Sequence, residues 1–172
     1  MKKIKLKKNQ GFTLLEGILV ASIIGIAAAV VMPNFFAIRQ REHLNNASKS
    51  VVAWLDDLRR KAIQQSVPCR ATWNTSSGIL SGQCDNETNI SSRLNINDDI
   101  ADGIEQISVS IIEGPLIWVF TPRGTSTTQA EVSFTLPGNN NHGRCLKLTA
   151  PLGLIRAAKQ TSTGECDYTT GF

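Results

Sequence analysis

The sequence predicts an α+β fold in which one long N-terminal helix, membrane-spanning in its first half, packs on an antiparallel β-sheet head. Three observations predict it. Residues 12–32 form an apolar run with a single charge, residues 44–62 carry apolar side chains at three- and four-residue steps, and from Cys69 onward short alternating stretches are separated by Gly, Pro, Asn and Ser clusters. One helical segment followed by about seven short strands fits a helix on antiparallel sheet, not alternating βαβ units. A chain of 172 residues has room for one such domain and an anchor.

The first element follows a basic start. Lys2, Lys3, Lys5, Lys7 and Lys8 are five of the 18 basic residues, so 18 less 5 leaves 13 against 14 acids in the rest of the chain. The formal charge of +4 therefore says nothing of a nucleic-acid partner. At ~1.5 Å per residue, Phe12 to Met32 makes a helix of ~32 Å, close to the ~30 Å hydrocarbon thickness of a bilayer. The lysines before it place the short N-terminal end in the cytoplasm and everything after Met32 outside. Glu16 is the lone acid of the run; a carboxylate in hydrocarbon is costly and marks a functional position. A secretory signal peptide, with cleavage at Ala27-Ala28-Ala29, has an apolar core of only ~7–15 residues. A plain anchor accounts for the length but leaves Glu16 and the Gly11–Phe12 junction without a reason.

Pro33 lacks an N–H and crowds the preceding turn, which predicts a kink. Beyond it Leu44, Ala47, Val51, Leu55, Leu58 and Ala62 share one stripe, the mark of an amphipathic helix that needs a partner surface. Trp54 reads as ordinary packing beside them. Pro68 closes the helix, because the residue before a proline is pushed out of helical geometry. A continuous helix from Phe12 to Gln65 would be ~80 Å long.

The head then reads as strands. Arg70 to Trp73 and Ile79 to Cys84 flank a turn-rich link and form a hairpin. Asp85 to Gly103 is polar and acidic, a loop too long for a simple connection. Ile104 to Ile112 alternates, Gly114-Pro115 interrupts it, and Leu116 to Phe120 is a dense apolar strand. Glu131 to Leu136 alternates again, Pro137-Gly138-Asn139-Asn140-Asn141 is a loop, and Cys145 to Thr149 and Leu152 to Arg156 are the last two strands.

The N-terminal residues resemble the class III signal of type IV pilins and pseudopilins: a lysine-rich leader, then Gly11-Phe12-Thr13-Leu14-Leu15-Glu16, then an apolar helix with Pro33 just beyond it. The resemblance implies that a prepilin peptidase cuts after Gly11 and N-methylates Phe12. It also implies that Glu16 pairs with the terminal amine of a neighbouring subunit and so sets the register of the growing filament. Opposite charges attract far more strongly in a low dielectric than in water, and each is penalised there if left alone. Further resemblance lies in the head. Trp118-Val119-Phe120-Thr121-Pro122-Arg123-Gly124-Thr125 is similar to the F-x-P-x-G stretch of GspH/FimT-type minor pseudopilins. Arg144-Cys145-Leu146-Lys147-Leu148-Thr149 and Gly153-Leu154-Ile155-Arg156 are similar to that family's closing strands and Gly-Arg-x-Arg turn. Leu154 stands where the first arginine of that turn would be, the turn that DNA-binding members use in natural transformation.

The implied organisation is a leader over 1–11, a transmembrane and filament-core helix over 12–32, an amphipathic continuation over 33–67 and a disulfide-bonded β-rich head over 68–172. Four cysteines, all in an exported head, imply a disulfide framework with three pairings open. Sequence proximity favours Cys69–Cys84 and Cys145–Cys166, each worth ~3 kcal/mol in the chain-entropy model. No metal is expected, since there is no C-x-x-C and neither His43 nor His142 lies at ligand spacing. Asp98, Asp99, Asp102, Gly103 and Glu105 hint at calcium, but Ile100 occupies a position where an EF-hand loop needs oxygen. Asn74, Asn86 and Asn89 begin glycosylation-type triplets, a reading with little force in a bacterial envelope. No catalytic constellation is legible, so neither an enzyme nor a cofactor is expected.

Arg144, Lys147, Arg156 and Lys159 fall in an acid-free stretch between Glu131 and Glu165. Two adjacent strands would bring them onto one face, a patch suited to salt-sensitive phosphate contact. Without interleaved aromatics it has no platform for base stacking, and the same cations serve equally to protect a strand edge. The function expected is a structural minor pilin or pseudopilin of a type IV pilus or type II secretion machine, held first in the bacterial inner membrane. Its partners would be other pilins through the N-terminal helix, the prepilin peptidase and the inner-membrane assembly platform. A DNA-binding minor pilin for natural transformation is the alternative, and a membrane-anchored envelope protein with a ligand-binding head is a third reading.

Overall fold

The computed structural model describes residues 12–90, 92–99, 106–137 and 139–169, with the side chains of 30–34, 36, 37, 99 and 139–142 outside the description. The chain separates into two compact units, Met1–Arg39 and Gln40–Phe172. Helix α1 spans Leu14–Gln65. The leader and Gly11 lie outside the described residues.

In the second unit α1 is followed by β1 (Cys69–Asn74), β2 (Ile79–Cys84), β3 (Ser92–Asn95), the short α2 (Ile96–Asp99), β4 (Ser108–Glu113) and β5 (Ile117–Phe120). Strands β6 (Ala130–Leu136), β7 (Asn139–Thr149), β8 (Leu154–Gln160) and β9 (Cys166–Asp167) complete it. Two antiparallel sheets form, in the orders β3-β2-β1-β5 and β4-β6-β7-β8-β9. The expected stripe of α1 is buried throughout: Leu44, Ala47, Val51, Leu55, Leu58 and Ala62 join the inner faces of both sheets in one core. Trp73 ties the sheets together, its ring 5.3 Å from Trp118 in its own sheet and 6.1 Å from Phe134 in the other.

Three readings of the sequence need correcting. The segment 85–103 is not all loop: β3 and α2 lie within it, held because Ile96 is fully buried and its N–H donates to the Gly78 carbonyl at 3.0 Å. Asn139–Asn141 belong to β7, with Leu136 opposite Asn139, so only residues 137 and 138 separate β6 from β7. The last strand expected, Leu152 to Arg156, starts at Leu154 and runs on to Gln160, with β9 added beyond it. Strand pairing within a sheet can override the weak local preference of polar residues.

Candidate functional site

The N-terminal segment is built around Thr13. Its side-chain Oγ1 accepts the Glu16 N–H at 3.3 Å and its carbonyl accepts the Gly17 N–H at 3.1 Å, so Thr13 is the N-cap of α1. Thr13 and Glu16 have the spacing of a capping box, which places the carboxylate in the first turn, where the helix dipole favours an anion. Phe12 directly precedes the cap and is 73% exposed. From Leu14 to Ile26 the large apolar side chains are exposed around the helix. A helix that is apolar on all sides is buried in its working environment, among lipid or other helices. The expected span over 12–32 runs into residues 30–32, whose side chains lie outside the description; among the described residues no helix is long and apolar enough to cross a membrane.

The four head cations do not share a face. Arg144 pairs with Lys159 and Lys147 with Arg156 across β7 and β8, and positions three apart on a strand point to opposite sides. Arg144 lies on the inner side with Leu146 and Leu148, almost fully buried. Its Nε donates to Asn45 Oδ1 of α1 at 2.7 Å and an NH group donates to the Gly143 carbonyl at 3.0 Å. Burial, then neighbouring Arg41, pulls its pKa below the usual arginine value, with Glu42 opposing. On the outer side Lys147 donates to Glu131 at 3.2 Å and lies 5.6 Å from the Tyr168 ring centre. Burial, then Glu131, pushes the Tyr168 phenol well above its ordinary range. Its hydroxyl is close to that carboxylate yet outside hydrogen-bonding geometry. Arg156 and Lys159 are exposed.

The C-terminal tail explains why outward-facing residues are buried here. Cys145–Cys166 bridges β7 to β9 with its sulfurs within 4.8 Å of a Glu131 carboxylate oxygen, Tyr168 lies by Lys147, and Glu131, Ser133 and Ala158 on this outer side are buried. Cys69–Cys84 joins directly opposite positions of the β1–β2 hairpin. Among the described residues one group of metal-ligand types comes together, Glu131, Cys145 and Cys166; with both sulfurs in a disulfide it offers a single carboxylate.

Sequence reasoning missed Arg59, Glu131 and Tyr168. Arg59 Nε donates to the Gly124 carbonyl at 2.6 Å and its Nη2 to the Leu152 carbonyl at 3.4 Å. It thereby holds the Pro122–Gly124 and Pro151–Gly153 turns; the first lies within the F-x-P-x-G stretch and the second leads into Gly153-Leu154-Ile155-Arg156. Both glycines have positive φ; a Cβ on Gly153 would sit 2.8 Å from the Gly124 oxygen, and one on Gly124 would sit 2.8 Å from Ile63. Leu154, at the position of the missing arginine, is exposed on the same side as Arg156. An arginine one turn from Leu55 was the available signal for the clamp; Glu131 could be found only once β6 was registered on β7.

Residues 6–32 match the model of the prokaryotic N-terminal methylation motif. No curated protein matches the chain. Among solved structures, the type IV minor pilin FimU of Pseudomonas aeruginosa is similar with a TM-score of 0.55 at 15% identity, covering 76% of this chain and 96% of that one. A second crystal form of FimU gives a TM-score of 0.53 at 16% identity, over 72% and 97% of the two chains. The minor pseudopilin EpsH from the type 2 secretion system of Vibrio cholerae gives 0.50 at 13% identity, over 72% and 99%. The chain thus carries an N-terminal methylation motif over residues 6–32 and shares its fold with these solved minor pilins and the minor pseudopilin.

Proposed function

We propose that the protein is a structural, non-catalytic minor subunit of a type IV pilus or type II secretion pseudopilus. The observation that carries this reading is the methylation motif over residues 6–32 joined to a head with the fold of solved minor pilins. The leader holds the precursor in the inner membrane with its N-terminus inside. Cleavage between Gly11 and Phe12 frees an amine, which is methylated. The subunit then leaves the bilayer by packing its apolar helix among others, at little cost because neighbouring apolar helices replace lipid. Glu16, already in the first turn of α1, sets the register by pairing with the amine of the next subunit.

Intact-mass measurement on the membrane-extracted protein tests the processing step. The expected product begins with N-methylated Phe12; a chain starting at Met1, or just past Ala29, removes the reading. For the carboxylate, Glu16→Val is expected to be inserted and cleaved but recovered poorly in sheared filaments. DNA uptake has thinner support, because exposed Arg156 and Lys159 lie on opposite sides of β8. A mobility shift of DNA that disappears in the Arg156→Ala, Lys159→Ala double variant would favour uptake, and no shift at low salt would remove it.

A further inference from the structure

Strand β4 is an edge of the five-stranded sheet, paired only to β6 among the described residues. Natural edges are usually blunted by charge, proline, a bulge or cover; β4 has these only at its C-terminal end, where Glu113 closes the strand, the register shifts between Ile111 and Glu113 and Pro115 follows, and Ser108 to Ile111 carries none. Alongside this edge run two open hollows that share Thr75 of the β1–β2 turn. One, of about 220 Å³, is bordered by Asn97, Gln106 and Ser108. The other, of about 480 Å³, is bordered by Val109, Ile111 and Leu116. Together they flank the six residues of β4, a groove of ~20 Å. Two of its bordering residues are held by hydrogen bonds: Asn97 Oδ1 accepts the Ile107 N–H at 2.7 Å, and the Leu116 carbonyl accepts the Trp73 backbone N–H at 2.9 Å. Ile112 and Leu116, each about half exposed, stand at the apolar end.

We infer that this groove takes an extended strand from the head of a different pilin-type subunit, added to the edge of β4. The inference rests on the assembly role proposed above. Main-chain hydrogen bonds to an open edge supply affinity, while the hollows beside it select alternate side chains. Apolar side chains fit the Val109–Ile111–Leu116 end, and a hydrogen-bonding one fits the Asn97–Gln106 end. Exposed acids stand at both ends, Asp98 after Asn97 and Glu113 as the last residue of β4, and no residue bordering either hollow is charged. The complementary strand is therefore flanked by Lys or Arg. The same charges disfavour a second copy: antiparallel pairing of β4 with itself would bring Glu113 of each copy towards the Asp98 end of the other, a like-charge juxtaposition.

A photo-crosslinking residue placed at Ser110 of the full chain, in cells making its filament, tests the assignment. The expected adduct joins Ser110 to another subunit that carries an N-terminal methylation segment, within an extended stretch bounded by basic residues. Ile112→Lys should leave insertion, cleavage and the thermal transition unchanged while lowering recovery in sheared filaments about fivefold, since a charged edge resists pairing. An adduct with a second copy alone, or no adduct in a subunit that begins at Phe12 and is present in the sheared fraction, overturns the inference. So does normal recovery of Ile112→Lys. A mature chain that does not begin at Phe12 overturns the assembly role instead, and the Ser110 adduct reads the groove separately.

Discussion

Arg144 is a cation held inside the head by Asn45 and the Gly143 carbonyl, and its neighbour in the sequence pattern, Lys147, is occupied by Glu131. Truncating Arg144 to alanine leaves two acceptors without their charged donor, so about 2 kcal/mol of stability should be lost. Chemical denaturation of the detergent-solubilised full chain checks this. Tyr168 gives a pH prediction. Its pKa is raised in the folded protein above the unfolded value near 10, so the folded state keeps a proton that the unfolded chain releases. Stability from this group is complete below about pH 10 and falls as the pH rises above it. Melting temperatures across that range should drop less for Tyr168→Phe than for the natural sequence. Neither residue's setting was legible in the sequence, because a buried, bonded arginine and an exposed one look alike until strand register is known.

The elements themselves were legible wherever burial repeats with a period. The α1 stripe names its own core residues, and Leu55→Ala should cost about 2–5 kcal/mol as a large-to-small change at a fully buried site. The β1–β2 hairpin announces itself by two six-residue strands around a turn, and its register sets Cys69 opposite Cys84. Legibility fails where both sides of a strand are covered. Strand β6 is buried at six of its seven positions, with the core on one side and the C-terminal tail on the other, so alternation misleads there. It fails too in 92–99, where four residues each of strand and helix are held by one buried isoleucine and contacts distant in sequence.

At the scale of the molecule, the tail is a strap rather than an end. Replacing Cys145 and Cys166 together by serine releases it, and the loss of a native disulfide from a small domain should cost about 2–5 kcal/mol. Hydrogen exchange should then rise in β7 and β8 while the β1–β2 hairpin, with its own bridge, stays protected. The clamp made by Arg59 has a wider reach, since one side chain of α1 fixes two turns that are distant from it in sequence. Arg59→Lys keeps the charge but not the planar fork that reaches both carbonyls, so both turns should loosen together in exchange measurements.

The strap also decides where the protein can be altered by hand. An affinity handle fused after Phe172 would pull on the cover of the outer sheet, whereas one inserted among Thr75, Ser76 and Ser77 would crowd the β4 groove. The Asn86–Asn89 stretch, exposed at three of its four residues and away from both, is the place to graft a label.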